Sequence, residues 1–325
     1  MNRLSVLVTN YLVPEVIDEL KARYDVTERY NISSNELKKL IGDYDVLVCR
    51  GAMKVTKEVI DAAAKTGRLQ LIASATSGLD HVDIEAARQA NISVCHTPYA
   101  VTNANAEYNI GAILALSRNF IAANDQMRTG EWNQQALLGS EIKGKTLGLI
   151  GFGRIGKLTA QYADVFNMKT IAYDPYVKKK TFAEYGVKPV CLDELFRGSD
   201  FIVLQLPRTS ETLNLVTKKQ LSLMKPTSYI VQVSRGGIVN EKDLLAVLER
   251  GAIAGAAVDV FVKEPSINER FRKLPNVMLS PHMGCSTQQS RSNGGMLIID
   301  EIDRFFAQEP LQYLAAGSFQ YAAAS

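Results

Sequence analysis

An apolar run at residues 146–150 leads directly into Gly151-Phe152-Gly153-Arg154-Ile155-Gly156 and then into an amphipathic helical pattern over 155–167. A strand that turns this tightly into a helix belongs to a βαβ unit, in which a crossover helix returns the chain to a parallel neighbour. Strand-like runs follow at 170–173, 201–206, 229–233, 254–260 and 277–279, with a further helical pattern at 241–250. An earlier block repeats the alternation, with runs at 4–8, 46–49, 69–73 and 92–95 separated by helical patterns at 14–24, 34–41, 56–63 and 83–90. Between the blocks lies a helical stretch over 102–119 and another reaching 129; its small residues Ala104, Ala106, Gly111, Ala112 and Ala115 suit close packing on a neighbour. At 325 residues the chain is longer than one core usually serves. The expectation is an α/β protein of two doubly wound parallel-sheet domains. One is discontinuous, residues 1–100 plus 295–325, closed by a last helical pattern at 295–308; the other, which carries the glycine turn, covers 101–294.

The bulk properties exclude several classes of function. With 46% apolar and 22% charged residues and a net charge of +3, nothing calls for a nucleic-acid or membrane partner. No apolar run approaches the roughly 18 residues that span a bilayer, and the short N-terminal run reads as a buried strand rather than a signal peptide. The four cysteines, Cys49, Cys95, Cys191 and Cys285, have no C-x-x-C spacing, which fits reduced thiols in a cytoplasmic protein and gives no reason to expect a metal. The alanine-rich tail at 321–325 is expected to fray.

The glycine segment carries a specific chemistry. Gly151 permits the tight turn, Gly153 lets backbone approach a pyrophosphate, and Gly156 lets the helix pack on the strand. The helix start offers unpaired N–H groups to phosphates. Asp174 ends the next strand about 20 residues on, where an acidic side chain binds the ribose hydroxyls of NAD and repels a 2′-phosphate. NAD is therefore the expected cofactor and 101–294 a Rossmann NAD-binding domain, and Lys178-Lys179-Lys180 reads as a solvated face.

Three strand exits in the same block carry groups suited to one reaction. His282, in Ser280-Pro281-His282-Met283-Gly284, can exchange a proton with a hydroxyl near neutral pH. Arg235, in Ser234-Arg235-Gly236-Gly237, has the planar fork that binds a carboxylate. Glu264, before Pro265, can orient an imidazole and favour its protonated form. Each residue alone is more often structural; together, at successive strand exits, they form a consistent site. Of the two other histidines, His81 reads as a surface or capping residue and His96 as a candidate lining of the cleft. Trp132, the only tryptophan, reads as an anchor for the helix pair and a possible dimer contact.

The blocks at 145–156, 234–244, 259–265 and 280–287 resemble the signature segments of the D-isomer-specific 2-hydroxyacid dehydrogenase family, in order and spacing, over nearly the whole chain. The resemblance implies hydride transfer between NAD(H) and C2 of a small D-2-hydroxy or 2-keto acid. In it, Arg235 binds and polarises the substrate, His282 donates and accepts the proton, and Glu264 is its partner. It further implies that Asp259 holds the nicotinamide carboxamide, that Leu206 and Pro207 flank the adenine, and that Arg154, Ile155, Ser234 and Gly284 contact the cofactor. Thr76-Ser77-Gly78-Leu79-Asp80 is similar to the family loop whose N–H groups hold the substrate carboxylate. The stretch from Arg50 to Thr56 resembles the first-domain substrate loop of phosphoglycerate dehydrogenases, and the chain looks most like those without a regulatory domain. Departures are Thr76-Ser77-Gly78 for a Gly-Thr-Gly or Val-Gly type loop, His96 for a common Asn, Tyr99-Ala100 for a glycine turn, and Asn240 for Asp.

The resemblance places the active site in the interdomain cleft, with crossovers near 99–101 and 291–294 as hinges, and makes a homodimer the expected assembly. Phosphoglycerate or a hydroxypyruvate- or glyoxylate-type acid is the favoured substrate. The alternatives are an NAD(H)-sensing corepressor-like binding protein and a phosphite dehydrogenase; formate oxidation is disfavoured because those relatives carry Gln where Glu264 stands.

Overall fold

The computed structural model describes residues 3–320, so the tail at 321–325 lies outside the described residues. The chain divides into two compact units, Met1–Val101 with Ser286–Ser325 and Thr102–Cys285. The first unit holds β1 (Ser5–Val8), β2 (Asp25–Glu28), β3 (Val46–Cys49), β4 (Leu71–Ser74) and β5 (Ser93–His96), with α1 (Pro14–Arg23), α2 (Ser34–Leu40), α3 (Lys57–Ala64) and α4 (Ile84–Gln89). The second begins with α5 (Thr102–Ser117) and α6 (Phe120–Thr129). It continues through β6 (Thr146–Ile150), α7 (Arg154–Val165), β7 (Lys169–Tyr173), α8 (Lys179–Glu184), β8 (Lys188–Pro189), α9 (Leu192–Gly198) and β9 (Phe201–Leu204). Then come α10 (Lys218–Leu221), β10 (Tyr229–Gln232), α11 (Glu241–Glu249), β11 (Gly255–Val258), α12 (Glu269–Arg272) and β12 (Val277–Leu279); α13 (Gln288–Phe306) belongs to the first unit.

Both sheets are parallel throughout their named strands, ordered β2-β1-β3-β4-β5 and β12-β11-β10-β9-β6-β7-β8. Strands covered on both faces are apolar at every position, because alternate side chains enter two different cores. In the first unit Val6, Val8, Val46 and Val48 pack on one face and Leu7, Leu47 and Ile72 on the other. In the second, Ile202 and Leu204 face one core while Phe201 and Val203 join Ile110, Ile113 and Leu116 of α5 in the other. Strand order reverses between β6 and β9, and that switch point is where open α/β sheets bind ligands.

The strands missed by apolar patterning are edge strands. β2 reads Asp-Val-Thr-Glu with none of its residues buried, and β8 has two exposed residues. The larger correction concerns the C-terminal helix. It begins not at 295 but at Gln288, where the Thr287 hydroxyl accepts the Ser290 N–H at 3.0 Å. The expected domain boundary at 294/295 and the crossover at 291–294 therefore fall inside α13, and the units part at Cys285 and Ser286. The polar Gln-Gln-Ser-Arg-Ser-Asn-Gly-Gly stretch has weak helical propensity; the cap and the burial of Gly294 and Gly295 override it.

Beyond α13 the chain covers the β5 edge of the first sheet. Leu314 bridges Cys95 antiparallel, the Ala315 N–H donates to the Val94 carbonyl at 2.8 Å and the His96 N–H to the Tyr313 carbonyl at 3.1 Å. Covering an edge this way removes a pairing surface for other chains. The buried Glu301 carboxylate of α13 holds the segment, accepting the Gln312 and Tyr313 N–H groups at 3.1 Å each. Glu301→Gln replaces one acceptor oxygen with a donor facing an N–H. The expected outcome is a loss of about 1–3 kcal/mol in urea unfolding, with faster proteolysis of the C-terminal segment; unchanged stability would contradict the anchoring.

Candidate active site

In the second unit, the exits of β6, β7 and β9 form one half of the site. Gly151 follows β6 with φ +97, and its N–H donates to the Tyr173 carbonyl at 2.9 Å. A Cβ there would stand 2.3 Å from the Gln205 carbonyl oxygen and 2.7 Å from Leu206, so both the backbone angle and the space require glycine. Leu206 is thereby brought against the glycine turn, and Pro207 follows it, its carbonyl accepting the Thr212 hydroxyl at 2.7 Å. The Asp174 carboxylate, at the β7 exit, accepts the Phe152 N–H at 2.8 Å and the Tyr176 N–H at 3.0 Å. It thus braces the turn, with acceptor capacity left for a ligand hydroxyl.

Two observations test the fit of a dinucleotide. Helix α7 has Gly153 at its N-cap with no side-chain cap hydrogen bond there, and a helix start of this kind suits an anion. A Cβ built on Gly153 would meet nothing within 4 Å, so the backbone there faces open space. Arg154 and Ile155 stand in the first turn of the same helix, and Lys178, Lys179 and Lys180 lie past the β7 exit, where the chain is largely exposed, as expected of a solvated face. The residues present fit a pyrophosphate at this helix start.

The exits of β10, β11 and β12, neighbours in the sheet, form the other half. Register aligns Gln232 with Val258 and Val258 with Leu279, so the residues that follow emerge side by side. Arg235 is partly buried; its Nη1 donates to the Ser234 carbonyl at 2.8 Å, and its own carbonyl accepts Gln232 Nε2 at 2.7 Å. A Cβ on Gly236 would lie 2.0 Å from the Phe261 carbonyl oxygen, so this loop presses directly on the one that carries Glu264. Glu264 Oε2 meets His282 Nδ1 at 2.8 Å, and Oε1 accepts the Phe261 N–H at 2.9 Å. His282 sits in the left-handed region, φ 52, a conformation histidine adopts more readily than most residues.

Burial alone would raise the Glu264 carboxyl. The bonds from His282 and the Phe261 N–H, with the charges of His282 and Arg235, outweigh it and hold the group below its ordinary 4.5. The carboxylate is therefore ionised above that pH. Its contribution to stability is lost only as pH falls through the lowered value. An ionised Glu264 fixes a proton on Nδ1 and leaves Nε2 for exchange with a ligand.

Asp259 emerges with a role that sequence reasoning missed. It is buried, and its Oδ1 accepts the Ser280 hydroxyl at 2.5 Å and the Met283 N–H at 2.8 Å, while Oδ2 accepts the Gly284 N–H at 2.8 Å. Its backbone carbonyl takes the His282 N–H at 2.8 Å. Tyr108 of α5 closes the cluster on Ser280 at 2.5 Å, and burial pushes that phenol up to about 12. Asp259 therefore builds the loop that carries His282. No sequence signal gave this beyond an acidic residue at a strand exit.

In the first unit the sequence-derived residues also lie at strand exits. Arg50 follows β3, its N–H held by Asn10 Oδ1 at 2.8 Å. Thr76, Ser77 and Gly78 form the loop after β4, with the Thr76 hydroxyl donating to the Gly78 carbonyl at 2.8 Å. His96 ends β5, and its Nδ1 meets the Ser77 carbonyl at 2.8 Å. Two side chains contradict the sequence reading. His81 is not a surface residue but buried, bonded through Nε2 to Ser74 Oγ at 3.1 Å, because the loop turns it inward beneath β4. Trp132 does not anchor the helix pair, since it is 82% exposed.

Comparison with known proteins bears on the fold and the family. Residues 110–284 match the family model described as D-isomer specific 2-hydroxyacid dehydrogenase, NAD binding domain. The chain is 37% identical over 297 residues to a D-3-phosphoglycerate dehydrogenase of Synechocystis, covering 91% of this chain and 53% of that enzyme. It is 39% identical over 285 residues to a hydroxypyruvate reductase of Thermotoga maritima, covering 87% and 91% respectively. A crystal structure of a protein from Thermus thermophilus superposes with a TM-score of 0.88 at 30% identity, covering 96% of this chain and 100% of that one. The chain spans about half the length of the phosphoglycerate dehydrogenases it matches.

Asp259→Asn exchanges one acceptor oxygen for an amide that must face N–H and hydroxyl donors. The Met283 and Gly284 amide protons are expected to exchange about tenfold to a hundredfold faster in the variant. Unchanged protection by hydrogen-exchange mass spectrometry would remove Asp259 as the organiser of this loop.

Proposed function

Because the chain belongs to the D-isomer specific 2-hydroxyacid dehydrogenase family, we propose that it is an NAD-dependent enzyme interconverting a small 2-keto acid and its D-2-hydroxy acid. The observation that carries the reading is the Glu264–His282 pair, 2.8 Å apart, with the charge of Arg235 bearing on the same carboxylate. When bound, NADH supplies a hydride to the carbonyl carbon, and NAD accepts one from the carbinol carbon.

This chain's own residues do the rest. The Arg235 guanidinium pairs with the acid and draws electron density toward the carbonyl oxygen. In reduction, His282 Nε2 gives its proton to that oxygen; in oxidation it takes the proton back. Glu264 holds the Nδ1 proton and stabilises the imidazolium before reduction. Gly151, Gly153, Gly156, Arg154 and Ile155 at the α7 start receive the pyrophosphate, Asp174 the ribose hydroxyls, and Leu206 and Pro207 the adenine. Asp259, Ser234 and Gly284 border the nicotinamide. In the first unit Ser77 and Gly78 offer N–H groups to a carboxylate, while Thr76, whose own N–H donates to the Ser74 carbonyl at 2.8 Å, holds the Gly78 carbonyl through its hydroxyl; Arg50 offers a cation to a distal acidic group, which favours phosphoglycerate or a hydroxypyruvate- or glyoxylate-type substrate.

A cytoplasmic location fits four free cysteines and the lack, among the described residues, of any helix long and apolar enough to cross a membrane. A homodimer fits the exposure of Trp132, Leu138, Phe120 and Met127 around α6, a helix with no buried residue of its own. Sedimentation equilibrium reads that assembly directly, and a monomer at micromolar concentration would contradict it.

His282→Ala is expected to lower kcat for hydroxypyruvate reduction by about a hundredfold or more, with NADH affinity unchanged by fluorescence titration. In Glu264→Gln the carboxylate that fixes the Nδ1 proton becomes an amide, so kcat for hydroxypyruvate reduction is expected to fall about tenfold or more, with NADH affinity unchanged. An unchanged kcat would contradict the assigned pairing.

A further inference from the structure

The loop after β4 has an unusual regularity: three successive carbonyls are each held by a donor within the first unit. The Thr76 carbonyl accepts the Thr97 N–H at 2.9 Å, the Ser77 carbonyl accepts His96 Nδ1 at 2.8 Å, and the Gly78 carbonyl accepts the Thr76 hydroxyl at 2.8 Å. A trans peptide is planar, so fixing its carbonyl fixes the N–H on its opposite side. The N–H groups of Ser77, Gly78 and Leu79 are thereby held in set directions. Among the described residues none of the three has a protein acceptor. Consecutive N–H groups of this kind form a concavity suited to an anion.

The two donors that are not backbone lead back to two histidines that the reaction itself does not use. A carbonyl only accepts, so His96 must carry its proton on Nδ1 to meet Ser77. The Thr76 hydroxyl is committed to Gly78, so it accepts from the Ser74 hydroxyl, 2.8 Å away. That leaves the Ser74 oxygen to accept from His81 Nε2 at 3.1 Å. The chain runs from buried His81 through Ser74 and Thr76 to the Gly78 carbonyl, with Ser74 also fully buried. The segment beyond α13 sets His96 in turn, through the bond from its N–H to the Tyr313 carbonyl at 3.1 Å.

We propose that His96 and His81 are positioning residues that aim the Ser77, Gly78 and Leu79 N–H groups at the substrate carboxylate, His96 directly and His81 through Ser74 and Thr76. The inference rests on the reading of this loop as the acid-binding element. Their work is done on the acid and not on the hydride or proton. Their loss should therefore appear in KM for the acid and leave kcat and KM for NADH in place. One hydrogen bond lost corresponds to about a tenfold change, roughly 1.4 kcal/mol.

The test is steady-state reduction of hydroxypyruvate and of glyoxylate by the wild type, His96→Leu, His96→Asn, Thr76→Val and Thr76→Ser. His96→Leu is expected to raise KM for each acid about tenfold, with kcat and KM for NADH within about twofold. His96→Asn, whose amide nitrogen reaches where Nδ1 stands, should return KM most of the way. Thr76→Val should behave as His96→Leu and Thr76→Ser as the wild type, which keeps the test open if either apolar variant fails to fold. Unchanged KM in His96→Leu or Thr76→Val, or an asparagine variant no better than the leucine one, overturns the inference while wild-type turnover leaves the dehydrogenase reading intact. A wild type that reduces neither acid overturns both.

Discussion

The buried carboxylate of Asp259 is the constraint on which the candidate site of the second unit depends. It stands one residue past β11 and gathers the Ser280 hydroxyl with the Met283 and Gly284 N–H groups from the loop past β12. A charge removed from water in this way is tolerable only when its lone pairs are filled, so the loop cannot relax without exposing an unpaired carboxylate to apolar surroundings. The loop geometry puts His282 in a left-handed conformation and delivers its ring to Glu264, which leaves from the same strand as Asp259. His282, Glu264 and Asp259 therefore belong to two adjacent strand exits.

Parallel pairing explains why such short exits suffice. Every named strand in the second sheet runs the same way, so every exit lies along one edge. The glycine turn after β6 and the Leu206 segment after β9 meet at the switch in strand order, while β10, β11 and β12 deliver Arg235, Glu264 and His282 in sequence. Chemistry is thus spread along the edge in the order the strands are stacked. The first unit uses the same logic on a smaller sheet, where the exits of β3, β4 and β5 carry Arg50, Thr76 and His96.

Much of this was legible in the amino-acid order, and the exceptions share a cause. The glycine turn is readable because φ +97 and a 2.3 Å approach to the Gln205 carbonyl admit no side chain, a local requirement that marks the sequence. Arg235, Glu264 and His282 are readable because each follows an apolar run. What escaped depends on neighbours distant along the chain. β2 pairs with β1 but carries Asp-Val-Thr-Glu, since an edge strand needs no apolar pattern. The sequence reads His81 as a surface or capping residue, yet Ser74 and Cys49 enclose it from β4 and β3. Trp132 was placed in a packing role, and its exposure shows that a single aromatic residue carries no information about which surface it meets. α13 begins at Gln288, well before 295, because burial of Gly294 and Gly295 outweighs their poor helix propensity.

Transfer of label from the C4 position of deuterated NADH tests the central claim most directly. With hydroxypyruvate or glyoxylate as acceptor, the account predicts stoichiometric appearance of deuterium at C2 of the hydroxy acid. With hydroxypyruvate that product has the D configuration, and the label transfer fails in the absence of His282. The absence of both NADH consumption and label at C2 across a panel of 2-keto acids would contradict it.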